Sequence, residues 1–351
     1  MARAPRRIAA SAGFALLGIA ATVASRRTHR HSQPLSGKVV FITGGSRGLG
    51  LALAEEFVRA GARVAIAAKD AAKLEEAEGR LQRLAASGRN AVMTVRCDVT
   101  DSSSVQSAVA EVSGTLGPID ILVNNAGIIA VAPLANQSIR RFEEAMDTHL
   151  YGALHTTEAV LPEMTRRRSG TIVNIASIGG LVAVPHLLPY TASKFALVGF
   201  SRGLHAELRS KGIHVLTVCP WLMRTGSHLH ARFGGKPDQE YGWFAIGATL
   251  PGLAVPARSA ARQILRAIVD RRSELLISPW ASITARIAQL APGLTGGILA
   301  QVNRLMPEAD SSKGDEQIEG YETHGVSTVL PTALGKAPAE MWNQSVRSRA
   351  S

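Results

Sequence analysis

A doubly wound α/β fold, with a parallel sheet covered by helices on both faces, is the class this chain predicts, on three observations. Short β-branched and apolar runs alternate with segments of helical period. The first run passes straight into a glycine-rich turn and then a helical pattern, the order of a strand-loop-helix unit. The length of 351 residues suits one α/β domain of about 250 residues with appended ends better than two average domains.

Taken in order, Lys38-Val39-Val40-Phe41-Ile42-Thr43 is a β-branched and aromatic run of the kind a buried parallel strand needs. The helical pattern after the turn carries Leu51, Leu53, Ala54, Phe57 and Val58. Arg63 to Ala68 reads as the second strand and Ala71 to Ala86 as a charged amphipathic helix. Strands follow at Ala91–Arg96, Ile119–Val123, Thr171–Ile175 and His214–Val218, with helical stretches between them, and Leu275–Ser278 reads as a seventh. Crossovers between parallel strands are right-handed, and ligands of such sheets bind outside the carboxyl ends of the strands. No internal repeat is present.

Two segments carry chemistry. Gly44-Gly45-Ser46-Arg47-Gly48-Leu49-Gly50 lies between strand and helix, where backbone N–H groups and the positive end of a helix dipole hold a pyrophosphate. Its glycines at 44, 48 and 50 give Gly-x-x-x-Gly-x-Gly, not the common Gly-x-Gly-x-x-Gly, and alone they fit a tight turn equally well. The second segment, Pro189-Tyr190-Thr191-Ala192-Ser193-Lys194, sets a phenol and an ammonium one helical turn apart. Side chains at that spacing share a face with Cβ atoms roughly 5 to 6 Å apart, so the cation is expected to lower the phenol's pKa from about 10. Alone, this too fits an exposed pair on an ordinary helix.

Together with Asn124-Asn125-Ala126-Gly127 and Ser177, Thr43-Gly44-x-x-x-Gly48-x-Gly50 and Tyr190-x-x-x-Lys194 resemble the short-chain dehydrogenase/reductase family. Their order matches, as does the thirteen-residue step from Ser177 to Tyr190, and the resemblance runs from residue 36 to about residue 280. It implies a Rossmann-type catalytic domain at 36–282, with a substrate lid at about 226–256. It also implies an oxidoreductase that interconverts a ketone or aldehyde with an alcohol. Tyr190 would give or take the proton, Lys194 would lower the tyrosine's pKa and hold the nicotinamide ribose, and Ser177 would position the carbonyl. Thr43, Gly44, Ser46, Arg47, Gly48, Leu49 and Gly50 match the family's pyrophosphate loop. Asp98 matches its adenine-binding aspartate, with Val99 beside it, and Asn125, Ala126 and Gly127 match the turn lining the ribose and nicotinamide. Thr225 falls where the carboxamide would be met.

Cofactor choice is read at the end of the second strand. An acid there would accept hydrogen bonds from the ribose diol, but the chain has Ala68 followed by Lys69, and Arg47 adds a second cation, so NADP(H) is expected. Two departures from the family pattern stand out. His149 replaces an asparagine thought to hold a proton-relay water, and histidine can serve the same purpose near neutral pH. Pro220-Trp221 replaces a Pro-Gly step. They leave open an alternative, a catalytically weak NADP(H)-binding scaffold or sensor. A nucleotide-sugar epimerase is disfavoured because the region after Thr225 is short for a sugar-binding domain.

The ends differ in composition. Residues 1–35 contain an uncharged run, Ile8 to Ala24, flanked by arginines. Seventeen residues reach the lower limit of about 17 for a bilayer span, and the arginines after the run oppose translocation. A membrane anchor with the domain on the cytoplasmic side is expected, and a cleaved signal with Thr22-Val23-Ala24-Ser25 at its end is the rival. Arg3, Arg6, Arg7, Arg26, Arg27 and Arg30 supply half of the net charge of +12, so it argues for no nucleic-acid partner. Cys97 and Cys219 read as small buried side chains, with no disulfide or metal site implied. Aromatic residues of the lid, including Phe233, Tyr241, Trp243 and Phe244, suit a lipophilic substrate. Residues 283–306 read as an apolar helical extension that could lie on a bilayer, extend the pocket or join subunits, and 307–351 as a disordered tail. The family's helices at His149 and Tyr190 commonly form subunit contacts, so a homo-oligomer is an expectation.

Overall fold

The computed structural model describes residues 35–85, 92–250, 253–323 and 336–344. The expected anchor at 8–24 lies outside these residues, and no helix among them is long and apolar enough to cross a membrane. In chain order the strands are β1 (Val39–Thr43), β2 (Arg63–Ala68), β3 (Val92–Arg96), β4 (Ile121–Asn124), β5 (Ala130–Val131), β6 (Gly170–Ile175), β7 (Ile213–Pro220), β8 (Met223–Arg224), β9 (Arg232–Gly234), β10 (Val255–Pro256), β11 (Glu274–Ile277) and β12 (Gln317–Glu319). The helices are α1 (Gly48–Arg59), α2 (Ala71–Ala85), α3 (Ser102–Leu116), α4 (Ile139–Met146), α5 (Gly152–Arg167), α6 (Leu188–Leu208), α7 (Pro237–Thr249), α8 (Ala257–Val269), α9 (Pro279–Leu290) and α10 (Pro292–Asn303).

Seven parallel strands form the main sheet in the order β3-β2-β1-β4-β6-β7-β11. The order reverses between β1 and β4, which places the ligand crevice at the carboxyl ends of those two strands. Alternation of side chains sorts the core into two layers. Val40 and Ile42 face one way and meet α1, α2 and α8 through Leu53, Phe57, Leu81 and Ile264. Val39 and Phe41 face the other way, against α3 and α5 through Val105, Val112 and Met164. Every residue of β1 is buried, as its unbroken apolar run requires.

Outside this sheet, β9 is the middle strand of a small one, with β5 parallel on one side and β12 antiparallel on the other. β12 belongs to the tail that its polar composition led us to expect to be disordered. Polarity misleads there because backbone and amide groups do the holding. Ile318 pairs with Phe233, and Asn136 Nδ2 donates to Asp310 O at 2.8 Å and to Gly314 O at 3.1 Å. The apolar extension forms α9 and α10, broken where Pro292 opens the second helix. Trp280, Ile283, Ile287, Leu290, Leu294 and Ile298 on this pair remain exposed.

Candidate active site

The β1–α1 turn is shaped by what its glycines lack. Gly44 and Gly48 have φ of +63° and +58°, which side-chain-bearing residues rarely adopt. A Cβ on Gly44 would stand 2.9 Å from Ala126 Cα, and one on Gly50 would stand 2.2 Å from Gly44 O. The turn therefore lies flat against the end of β4, and α1 lies flat against the turn. Thr43 ties the two strand ends together, its Oγ1 accepting from the N–H groups of Asn125 at 3.0 Å and Ala126 at 3.1 Å. Asn125 Nδ2 donates to the carbonyls of Thr43 and Gly44, both at 3.0 Å. No side chain caps the N-terminus of α1 and no acid occupies its first turn, which leaves its positive end to backbone partners or an anionic ligand, and the Gly48 N–H is met by Trp342 O at 2.8 Å. A helix end with no side-chain cap and no acid, beside glycine faces that a Cβ would fill, fits the pyrophosphate of a dinucleotide.

Just past the ends of β2 and β3, Lys69 Nζ lies 2.8 Å from Asp98 Oδ2. Asp98 Oδ1 accepts from the N–H and hydroxyl of Thr100, and with Lys69 these bonds hold its carboxyl below the usual range despite partial burial. Arg47 is half-buried in the electrostatic reach of Glu319 and Asp70, and burial lowers its pKa. Val99 packs on Gly152, where a Cβ would meet it at 2.8 Å. Thr225 is buried over the glycine loop, its Cβ 3.8 Å from the position a Gly48 Cβ would take.

The chemistry-bearing side chains gather on the neighbouring strands. Ser177 opens a short 3-10 turn after β6, and its Oγ accepts the Gly179 N–H at 3.0 Å. The Tyr190 ring stands beside it: a Cβ on Gly179 would lie 3.4 Å from Ser177 Oγ and 3.2 Å from Tyr190 Cε1. Burial raises the phenol's pKa, and the neighbouring Ser177 hydroxyl opposes that rise. Lys194, one turn along α6, is 4% exposed. Its Nζ donates to Ile175 O at 2.9 Å and lies 5.7 Å from the Tyr190 ring centroid. Burial depresses this amine to about 7. The expectation that the cation lowers the phenol's pKa therefore needs correcting. The ammonium is turned to a backbone carbonyl, and burial dominates at both groups.

His149 sits in a π-helical turn, Asp147–Tyr151, that joins α4 to α5, and is 2% exposed. Its Nε2 accepts from the Ile128 N–H at 3.1 Å, and its Nδ1 lies 2.7 Å from Ser193 Oγ, which donates to Tyr190 O at 2.9 Å. These partners define one tautomer, with the proton on Nδ1 and directed to Ser193. Burial and the nearby Lys194 push the pKa of the ring well below its ordinary value. Both ring nitrogens are thus engaged by protein groups. Gly127 is needed beside it, because a Cβ there would stand 3.0 Å from Nε2.

Sequence reasoning did not single out the polar network beneath the site. Asn124 Nδ2 donates to Asn174 Oδ1 at 2.8 Å, Thr156 Oγ1 donates to Asn124 Oδ1 at 2.6 Å, and Asn174 Nδ2 donates to Ser201 Oγ at 3.0 Å. It also passed over Ser193, a residue that stood in plain view beside Lys194. Along β4 and β6 the only signal was an asparagine where a buried strand would otherwise be apolar. Beside Tyr190 opens a cleft lined by Ile128, Ile129, Ala145 and Pro189 and by the charged Arg141, Glu144 and Arg232. Cys97 and Cys219 are both free and buried, and burial pushes the Cys219 thiol up to about 12.

A doubly wound sheet with a glycine cradle at its switch point and a Ser-Tyr-Lys group beside it defines a class, the nicotinamide-dependent oxidoreductases of Rossmann type. Residues 38–232 match the model of the short chain dehydrogenase family. The chain belongs to the short-chain dehydrogenase/reductase family, whose members bind a nicotinamide cofactor. It is similar to the dehydrogenase/reductase SDR family protein 7-like of Drosophila melanogaster, 34% identical over 76% of this chain and 81% of that one. It is also similar to the ketoacyl reductase HetN of Nostoc, 31% identical over 70% of this chain and 79% of the other. A short-chain dehydrogenase/reductase of Burkholderia phymatum, solved in complex with NAD, superposes with a TM-score of 0.67 at 26% identity, covering 74% of this chain and 95% of that one.

Proposed function

We propose that the protein is an NADP(H)-dependent oxidoreductase that interconverts a ketone or aldehyde with its alcohol on a lipophilic molecule. The observation that carries the reading is the gathering of Ser177 and Tyr190 on one face of Gly179, beside a cleft, with Lys194 one turn away. When bound, the nicotinamide supplies or accepts hydride. Tyr190 gives its phenolic proton to the carbonyl oxygen during reduction and takes the alcohol proton in reverse. A phenol whose pKa is raised by burial stays protonated at neutral pH, which suits the donating role. Ser177 shares the same oxygen and holds the carbonyl toward the phenol. Lys194, an amine titrating near neutrality, can hold or release a proton behind Tyr190. His149 acts as a neutral clamp that fixes the 126–128 turn to α6, because each of its ring nitrogens already has a protein partner.

Preference for NADP(H) is supported by Lys69 and Arg47, with no acid at the end of β2. Arg47→Ala together with Lys69→Ala is expected to equalise NADPH and NADH affinity, measured by fluorescence titration. Equal affinities in the unsubstituted protein would refute the preference. Attachment to a lipid surface through residues 8–24 rests on their uncharged, arginine-flanked run, and the exposed apolar faces of α9 and α10 offer a second contact for such a surface. From 275 to 307 the sequence has no acidic residue and carries Arg286 and Arg304, a composition suited to anionic headgroups. Flotation with phosphatidylserine vesicles tests this, and binding should weaken on Trp280→Glu with Leu294→Glu. The activity itself is tested by following NADPH absorbance over steroids, retinals, long-chain ketoacyl compounds and aromatic ketones. Silence across the panel despite tight NADPH binding would favour the scaffold alternative.

A further inference from the structure

The cradle built for a pyrophosphate already has an occupant from the same chain. Residues 336–341 form a short helical turn, and Trp342, Asn343 and Gln344 continue from it across the glycine loop. The Gly48 N–H, a donor of the uncapped N-terminus of α1, is taken by Trp342 O at 2.8 Å. Asn343 spans the loop and α2, its Nδ2 donating to Ser46 O at 3.0 Å and Lys73 O at 3.2 Å, and its Oδ1 accepting from Lys73 Nζ at 3.1 Å. Gln344 lies against the open face of Gly48, its Nε2 2.8 Å from where a Cβ would stand, and its carbonyl accepts from His230 Nε2 at 2.9 Å.

This contact is built, not incidental. Trp342 is 3% exposed and packs into the core layer that holds α1 and α2. The Arg80 guanidinium stacks 5.4 Å from its ring centroid and donates to Met341 O. On the other side, Gly226 gives way to Ala339, whose Cα would meet a Cβ there at 2.6 Å. The segment thus bridges the glycine loop and the start of the lid. It presents a carbonyl oxygen to the same N–H, and an amide to the same glycine face, that a phosphate would use.

We propose that residues 336–344 are an intrachain ligand of the pyrophosphate cradle, so that dinucleotide enters only when this segment withdraws. The proposal rests on the dinucleotide-binding reading and adds its regulation. Occupancy of one donor and one glycine face by two ligands is mutually exclusive. The apparent dissociation constant therefore rises by the inverse of the open fraction. A segment seated in nine molecules of ten weakens binding about tenfold.

The test compares the full chain with two variants, removal of residues 336–351 and Asn343→Ala, and titrates NADPH by calorimetry. Tighter binding by both variants is expected, about tenfold for the truncation, and a synthetic peptide of residues 334–351 should restore the weaker affinity to the truncated protein competitively. Hydrogen exchange around 340–344 in the full chain should accelerate when NADPH is added. Unchanged affinity in both variants with unchanged exchange would overturn the tail's role and leave dinucleotide binding intact. Weaker binding by Asn343→Ala would make the segment a strap over bound cofactor, which also overturns the proposal. Failure of every form to bind NADPH would overturn the dinucleotide reading instead.

Discussion

The β1–α1 turn and the β6–α6 segment leave the same edge of the same sheet, yet they are specified by opposite means. The first works through backbone donors and the absence of side chains at 44, 48 and 50. The second works through side chains, with Ser177, Tyr190 and Lys194 held among buried partners. A change in the first is therefore expected to fail as shape, and a change in the second as chemistry on an intact fold.

The largest effect should separate these modes cleanly. Tyr190→Phe removes the transferable proton and leaves the ring packing against His149, so turnover should fall by about 10³-fold with NADPH affinity and melting temperature nearly unchanged. Gly50→Ala should do the reverse. Its methyl would meet the Gly44 carbonyl, so NADPH binding and thermal stability are expected to be lost together, read by calorimetry and circular dichroism. Retained cofactor affinity in Gly50→Ala would break the comparison. Ser177→Ala is expected to lose about 10²-fold in kcat with a smaller change in KM, measured by steady-state kinetics.

Smaller effects sharpen the second region. His149→Ala leaves the Ile128 N–H without its acceptor and should destabilise by about 1–3 kcal/mol in denaturant titration. Lys194 gives a pH signature with a definite sign. Its folded pKa near 7 lies below the ordinary 10.5, so the unfolded chain binds the extra proton between those values. The penalty for burying the amine is full below about 7 and fades as pH rises toward 10.5. Relative to Lys194→Met, the unsubstituted protein should gain stability across that window, and a flat difference would place the amine in water.

What the sequence made legible follows the same division. Contiguous patterns carried the strands and the glycine loop, because a buried parallel strand and a positive-φ turn each constrain neighbouring residues directly. Observed strands differ from the expected ones by a residue or two, as at β7, which runs on through Pro220. The meeting of Ser177, Tyr190 and Lys194 was legible only through resemblance, since their spacing in the chain does not fix their spacing in space. Asn343 and Gln344 were not legible at all. Their hydrogen-bonding partners lie 114 to 297 residues upstream, and a tryptophan followed by two amides in a polar tail has no local signature. The direction of the Tyr190 shift was misjudged because a pairwise picture of phenol and cation omits the desolvation that dominates both.

The small sheet around β9 has a mechanical consequence. Its central strand follows Thr225 closely in the chain and is laced to β5 on one side and to β12 on the other. A displacement of β9 must either drag β12 along or shear its backbone bonds. Because Arg232 of β9 lines the cleft beside Tyr190 and pairs with Glu319, the Gln317–Glu319 strand is geared to the cleft wall, and a pull on one will be felt as tension in the other.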